Sequence, residues 1–161
     1  MSVLSKVTPP LDVDRARKAA QKVLDYPGAD GVEIVVAASS SGLTRYANSE
    51  IIQNTVRDEV RATVRVVAGD RVASATTTQL DPQHLALAAG RALEAARASL
   101  PDADFPGLPD PDNVGRAEAI MRFDDATAAT PPGDRAAAVE GILRAAGADN
   151  AAGIYETGAH A

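Results

Sequence analysis

The 161-residue chain contains no cysteine, no tryptophan and only two histidines, and its aromatic content is 3%. Without cysteine, disulfides and thiolate metal ligation are excluded. The histidines, His84 and His160, stand far apart, and neither is followed by Glu. Zinc catalysis needs about three protein ligands with one position left for water, and the sequence offers no such set. No apolar run in MSVLSKVTPPLDVDRARKAAQ is long enough for a secretory signal or a membrane helix, so no membrane association and a cytoplasmic location are expected. Cations are also scarce: 16 Lys and Arg stand against 22 Asp and Glu, for a net charge of -6. That balance argues against nucleic acid, which is gripped largely by cations neutralising phosphates. With so few aromatics the core must be built from Val, Leu, Ile and Ala. These bury little area each, so the isolated chain is expected to be of modest stability.

What is present is clear periodicity. After an amino terminus expected to be disordered over residues 1–11, Asp12 to Tyr26 spaces Val13, Ala16, Ala20, Val23 and Leu24 as one helical face, and Pro27-Gly28 ends it. Gly31 to Ser39 is an apolar, β-branched run that predicts a strand. Ser39-Ser40-Ser41-Gly42 then predicts a turn, with Leu43 to Ala47 as the returning strand. Asn48-Ser49 suits a hairpin turn, because Asn tolerates a positive φ. From Glu59 to Val66, Val60, Ala62, Val64 and Val66 alternate with polar residues, the period-two pattern of a half-buried strand. Gly69-Asp70 predicts a second hairpin turn, and Arg71 to Thr77 the strand that returns.

Asp81-Pro82 predicts a helix start, with Asp as N-cap and Pro at the first helical position. Leu85, Ala88, Ala89, Ala92, Leu93 and Ala96 form its apolar stripe. Residues 101–130, rich in proline and aspartate at their start, are expected to be a stiff acidic connector that forms no core. A further helix from Thr130-Pro131 carries Ala137, Val139, Ile142, Leu143 and Ala146 as its apolar set and stops at Gly147. Consecutive hairpins flanked by helices predict an α+β fold: an antiparallel sheet with about three helices packed mainly on one face.

Candidates for chemistry are few. Ser39-Ser40-Ser41-Gly42 lacks the Lys and the glycine spacing of a phosphate loop. Asp102, Asp104, Asp110 and Asp112 lack the spacing of a calcium loop. His84 belongs to a helix start. No catalytic and no metal-ligating residue is assigned. The polar segment Asn48, Ser49, Gln53 and Asn54 reads as turn chemistry plus the exposed side of a strand.

The order of these motifs resembles the amino-terminal domain of the TldD/PmbA family, the zinc metallopeptidases also called modulators of DNA gyrase. The resemblance is carried by Arg45-Tyr46-Ala47-Asn48-Ser49-Glu50-Ile51 with Gln53-Asn54, by Val64-Arg65-Val66-Val67 with Gly69-Asp70-Arg71, by Leu80-Asp81-Pro82, and by Pro101 to Pro109. It extends over residues 12–161. It implies a family that degrades unfolded peptides, with a His-Glu-x-x-x-His zinc site in a carboxy-terminal domain that is expected to be absent here. Zinc is therefore expected only in that domain or in a partner subunit, and this chain alone is expected to be inactive. The resemblance further implies a related TldD/PmbA-type subunit as partner, in a homo- or hetero-oligomer, and unfolded peptide as substrate. Asn48, Ser49, Gln53 and Asn54 are its candidate peptide or interface contacts. The alternative from the same residues is a stand-alone peptide-binding or dimerisation module, or a truncated gene product, with no catalytic link.

Overall fold

The computed structural model describes residues 11–110, 124–147 and 150–160. In chain order these form α1 (Val13–Gln21), β1 (Gly31–Ala47), β2 (Glu50–Ala68), β3 (Arg71–Thr77), α2 (Pro82–Ala98), α3 (Asp125–Ala128), α4 (Pro132–Ala146) and β4 (Gly153–His160). The strands make one four-stranded antiparallel sheet in the order β3-β2-β1-β4. The fold is α+β, as the hairpin order predicts. The chain divides into two compact units, and the long strands β1 and β2 contribute residues to both.

The first unit comprises Asp12–Ala37 and Val60–Met121. Its core joins the alternating face of β2 to the stripe of α2: Ala62, Val64 and Val66 meet Leu85, Ala88, Ala89, Ala92 and Leu93, with Val23 beside them. Alanine dominates the helix stripe, so the helix backbone can approach the sheet closely. Each fully buried Val or Leu contributes about 1.5–3 kcal/mol here. Asp81 caps α2 by accepting from the backbone N–H of Gln83 and of His84, satisfying donors that a helix start leaves open. Asp12 caps α1 in the same way through Arg15. Gly69, with φ of 63°, takes the first central position of the β2–β3 turn, where a side chain would be strained. Its N–H donates to Asp30 Oδ2 at 2.6 Å.

On the other face of β2 in this unit, Arg65 donates to Glu33 at 3.0 Å, and Leu108 and Val67 lie against Gly31. Residues 101–110 are thus anchored at Leu108 and at Asp102, whose N–H donates to the Asp70 carbonyl at 2.8 Å. The amino-terminal residues 1–10, and the part of the expected connector at 111–123, lie outside the described residues.

The second unit comprises Met1–Leu11, Ala38–Glu59 and Arg122–Ala161, its described part being α3, α4, β4 and the adjoining stretches of β1 and β2. Here one expectation fails. Ser39 to Gly42 do not turn; β1 runs unbroken through them and pairs with β4, from Ser39 opposite His160 to Tyr46 opposite Gly153. Serine and glycine accept an extended backbone when a neighbouring strand takes up their N–H and C=O groups, and β4 supplies that neighbour. Gly42 also has a steric reason: a Cβ there would collide with the guanidinium of Arg135.

Two further features depart from the sequence pattern. α3 is a single turn capped by Asp124, which accepts from the Thr127 N–H at 2.6 Å, inside a stretch expected to be connector. In α4, Val139 is buried but Ile142 is 41% exposed, and the other buried residue is Arg135. The helix is rotated so that a polar side chain, not the expected apolar set, takes much of the inward face.

Candidate functional site

The second unit carries two polar arrangements on opposite sides of its strands. The covered side is centred on Arg135, which is 1% exposed. Its Nη1 donates to the Thr130 carbonyl at 2.8 Å, and its Nη2 donates to Asn54 Oδ1 at 3.2 Å and to the Thr55 carbonyl at 3.3 Å. Asn54 Oδ1 also accepts from Thr44 Oγ1 at 3.1 Å, and Asn54 Nδ2 donates to the Pro132 carbonyl at 3.0 Å. Thr44 is itself fully buried. A guanidinium held by neutral acceptors is costly to bury, so this network fixes the start of α4 onto β1 and β2 in one geometry.

The open side is a hollow of about 690 Å³. Strand alternation places Ser41, Leu43 and Arg45 of β1, Gln53, Thr55 and Arg57 of β2, and Ile154 and Glu156 of β4 around it. Ile154 is 63% exposed. Arg57 is ion-paired with Glu59 at 3.1 Å. Tyr46 covers its partner Gly153 at the hollow's end.

The structure therefore separates the residues singled out in sequence. Asn48 and Ser49, with φ of 52° and 61°, form the turn between β1 and β2. Ser49 N–H donates to the Ala151 carbonyl at 3.1 Å, and Ala151 N–H donates to Ser49 Oγ at 3.3 Å, tying that turn to the approach to β4. Gln53 lines the hollow, whereas Asn54, itself exposed, bonds to the buried Thr44 and Arg135 on the other face. Adjacent strand residues point to opposite faces, so the Gln-Asn pair could not serve a single surface. Sequence reasoning missed Arg135 altogether. The one signal for it was a charged residue close to the start of an otherwise alanine-rich helix.

His84 is a capping partner: its Nδ1 lies 2.6 Å from Asp81 Oδ2. The Asp81 carboxyl is held below the usual range chiefly by the backbone N–H of His84, which outweighs desolvation, with that residue's side chain adding to the lowering. Asp124 is lowered likewise, first by the Thr127 side chain and then by its backbone N–H. His160 is exposed at the end of β4. Among the described residues no group of three His, Asp or Glu is placed to hold a metal ion. Among the same residues, no helix is long and apolar enough to cross a membrane.

Residues 32–96 match PmbA/TldA metallopeptidase domain 1. No curated protein matches the chain by sequence. Among solved structures, the fold is similar to TldE from Thermococcus kodakarensis, with a TM-score of 0.72 and 18% identity over 88% of this chain and 37% of that one. It is also similar to a protein described as a modulator of DNA gyrase from Bacteroides thetaiotaomicron, with a TM-score of 0.73 and 17% identity over 91% of this chain and 34% of that one. The chain thus spans a little over a third of the length of these structures. At such identities the likeness is one of fold. The matched segment and the shared fold agree in supporting an amino-terminal domain of the TldD/PmbA type.

Proposed function

We propose that this chain is the non-catalytic amino-terminal part of a TldD/PmbA-type zinc metallopeptidase, and that the open face of its second unit contacts unfolded peptide. Zinc and the hydrolytic residues are then supplied by a further domain or by a related subunit, in a cytoplasmic homo- or hetero-oligomer. The observation that carries this reading is the hollow beside Gln53, where strand side chains stand uncovered at a site of ligand-binding size. Extended peptide suits a surface built from strands, since recognition there is tolerant of sequence along the backbone and selective only where side chains reach it. Asn48 and Ser49 contribute as the turn that shapes the end of this face, and Asn54 contributes from behind by holding β2 in place.

A photo-crosslinking side chain at Gln53 tests the reading. Exposed to an unfolded polypeptide such as reduced, carboxymethylated lactalbumin, it should capture peptide, while the same group at Leu87 of α2 should not. Equal capture at both positions, or none at Gln53, refutes it. A second reading, a stand-alone module that pairs with other chains, is favoured by the outer edge of β4, which has no partner strand among the described residues. Coding sequence for His-Glu-x-x-x-His directly downstream would decide for the first.

A further inference from the structure

Within the hollow, two charges stand apart from every other. Arg45 and Glu156 are both exposed, and neither has an ion-pair partner among the described residues, whereas Arg57 is paired with Glu59. The register sets their placement. Leu43 faces Glu156 and Arg45 faces Ile154, so the four side chains form a square with opposite charges on one diagonal and apolar groups on the other. Diagonal neighbours across a strand pair lie about 7–8 Å apart. In an extended peptide, side chains two residues apart lie on one face, separated by about 6.5–7 Å. The two spacings match.

Resting on the peptide-contact reading above, we infer that this face selects extended peptides carrying an acidic and a basic side chain two residues apart. The acid sits over Arg45 and the base over Glu156, while Leu43 and Ile154 pack against the aliphatic stems on either side. The residue between the two charges points away and is free to vary. The size of the surface favours peptide over a second folded chain. Three strands wide and about three face residues long, it offers roughly 300 Å² by strand spacing, against about 800 Å² per partner in a stable protein complex.

The test uses the 161-residue chain and fluorescein-labelled nonapeptides of Thr and Ala, each carrying one Glu and one Lys, in fluorescence polarisation. Peptides with Glu and Lys two residues apart should bind about three- to tenfold more tightly than isomers with adjacent charges, the range expected for one or two exposed ion pairs. The advantage should shrink at 1 M salt, where the screening length falls to about 3 Å. Glu156→Arg should shift the preference to peptides with two Glu at that spacing, and Arg45→Glu to peptides with two Lys. Both side chains are exposed, so circular dichroism should show both variants folded. Equal affinity for all isomers, or a preference that neither variant moves, overturns the inference while leaving peptide contact standing. No binding by any peptide overturns both.

Discussion

Val64→Asp tests the packing of the first unit most directly. Val64 is fully buried on β2, within the cluster formed with Leu85, Ala88, Ala89 and Ala92. Replacing it removes about 1.5–3 kcal/mol of apolar burial and puts a carboxylate where no donor or cation awaits it. Burial of an unpaired charge in a core lies at the severe end of single-mutant effects, so a total of about 3 kcal/mol or more is expected. For a chain of this size each kcal/mol lowers the melting temperature by about 2–4 °C, giving a loss of about 6–12 °C or more. The control is one residue away. Thr63 points to the opposite, half-exposed face, opposite Thr76 of β3, and Thr63→Asp should cost no more than about 1 kcal/mol of strand preference. With no Trp in the chain, thermal unfolding is followed by far-ultraviolet circular dichroism. Equal losses for the two variants would refute the assignment of β2's faces and the core built on it.

Arg135→Met keeps much of the side-chain volume but removes the donors to Thr130, Asn54 and Thr55. Hydrogen bonds made by a charged group are worth about 1.5–3 kcal/mol, so the loss should lower the urea midpoint below that of Arg144→Met on the exposed side of α4. Gly42→Ala should also destabilise, because its Cβ enters the space of the guanidinium, and combining it with Arg135→Met should cost less than the sum of the two. Additive losses would mean that Gly42 and Arg135 are not neighbours. The capping carboxylates predict a pH dependence of definite sign. Asp81 and Asp124 have folded-state values below the ordinary carboxyl value, so their stabilisation is present above that value and is lost as pH falls through the lower, folded-state one. Asp81→Ala and Asp124→Ala should be less stable than the parent at neutral pH, with the difference closing in acid. A gap that widens as pH falls would refute the capping role.

The sequence by itself determined what local periodicity can carry. The α2 stripe is buried at the six positions that its spacing names, the alternation of β2 identifies its core face, and Asn48-Ser49, Gly69-Asp70 and Asp81-Pro82 form their turns and cap where the residues prefer them. Those signals need only neighbours three or four residues away, or the pleat of a single strand. The family-like order of motifs was legible for the same reason. Tertiary structure decided the rest. Ser39 to Gly42 have turn chemistry in isolation, and only pairing with β4 makes them strand, since their backbone groups then meet partners distant in sequence. Arg135 reads as a surface cation until Gly42, Thr44, Asn54 and the carbonyls of Thr130 and Thr55 are brought around it. Gln53 and Asn54 read as one polar segment until Asn54 is drawn into hydrogen bonds with Thr44, Arg135 and the Pro132 carbonyl, while Gln53 lines the hollow on the other face. Which polar side chain meets solvent and which becomes part of the core depends on what packs against each face, and that partner is set by long-range contacts that no local pattern encodes.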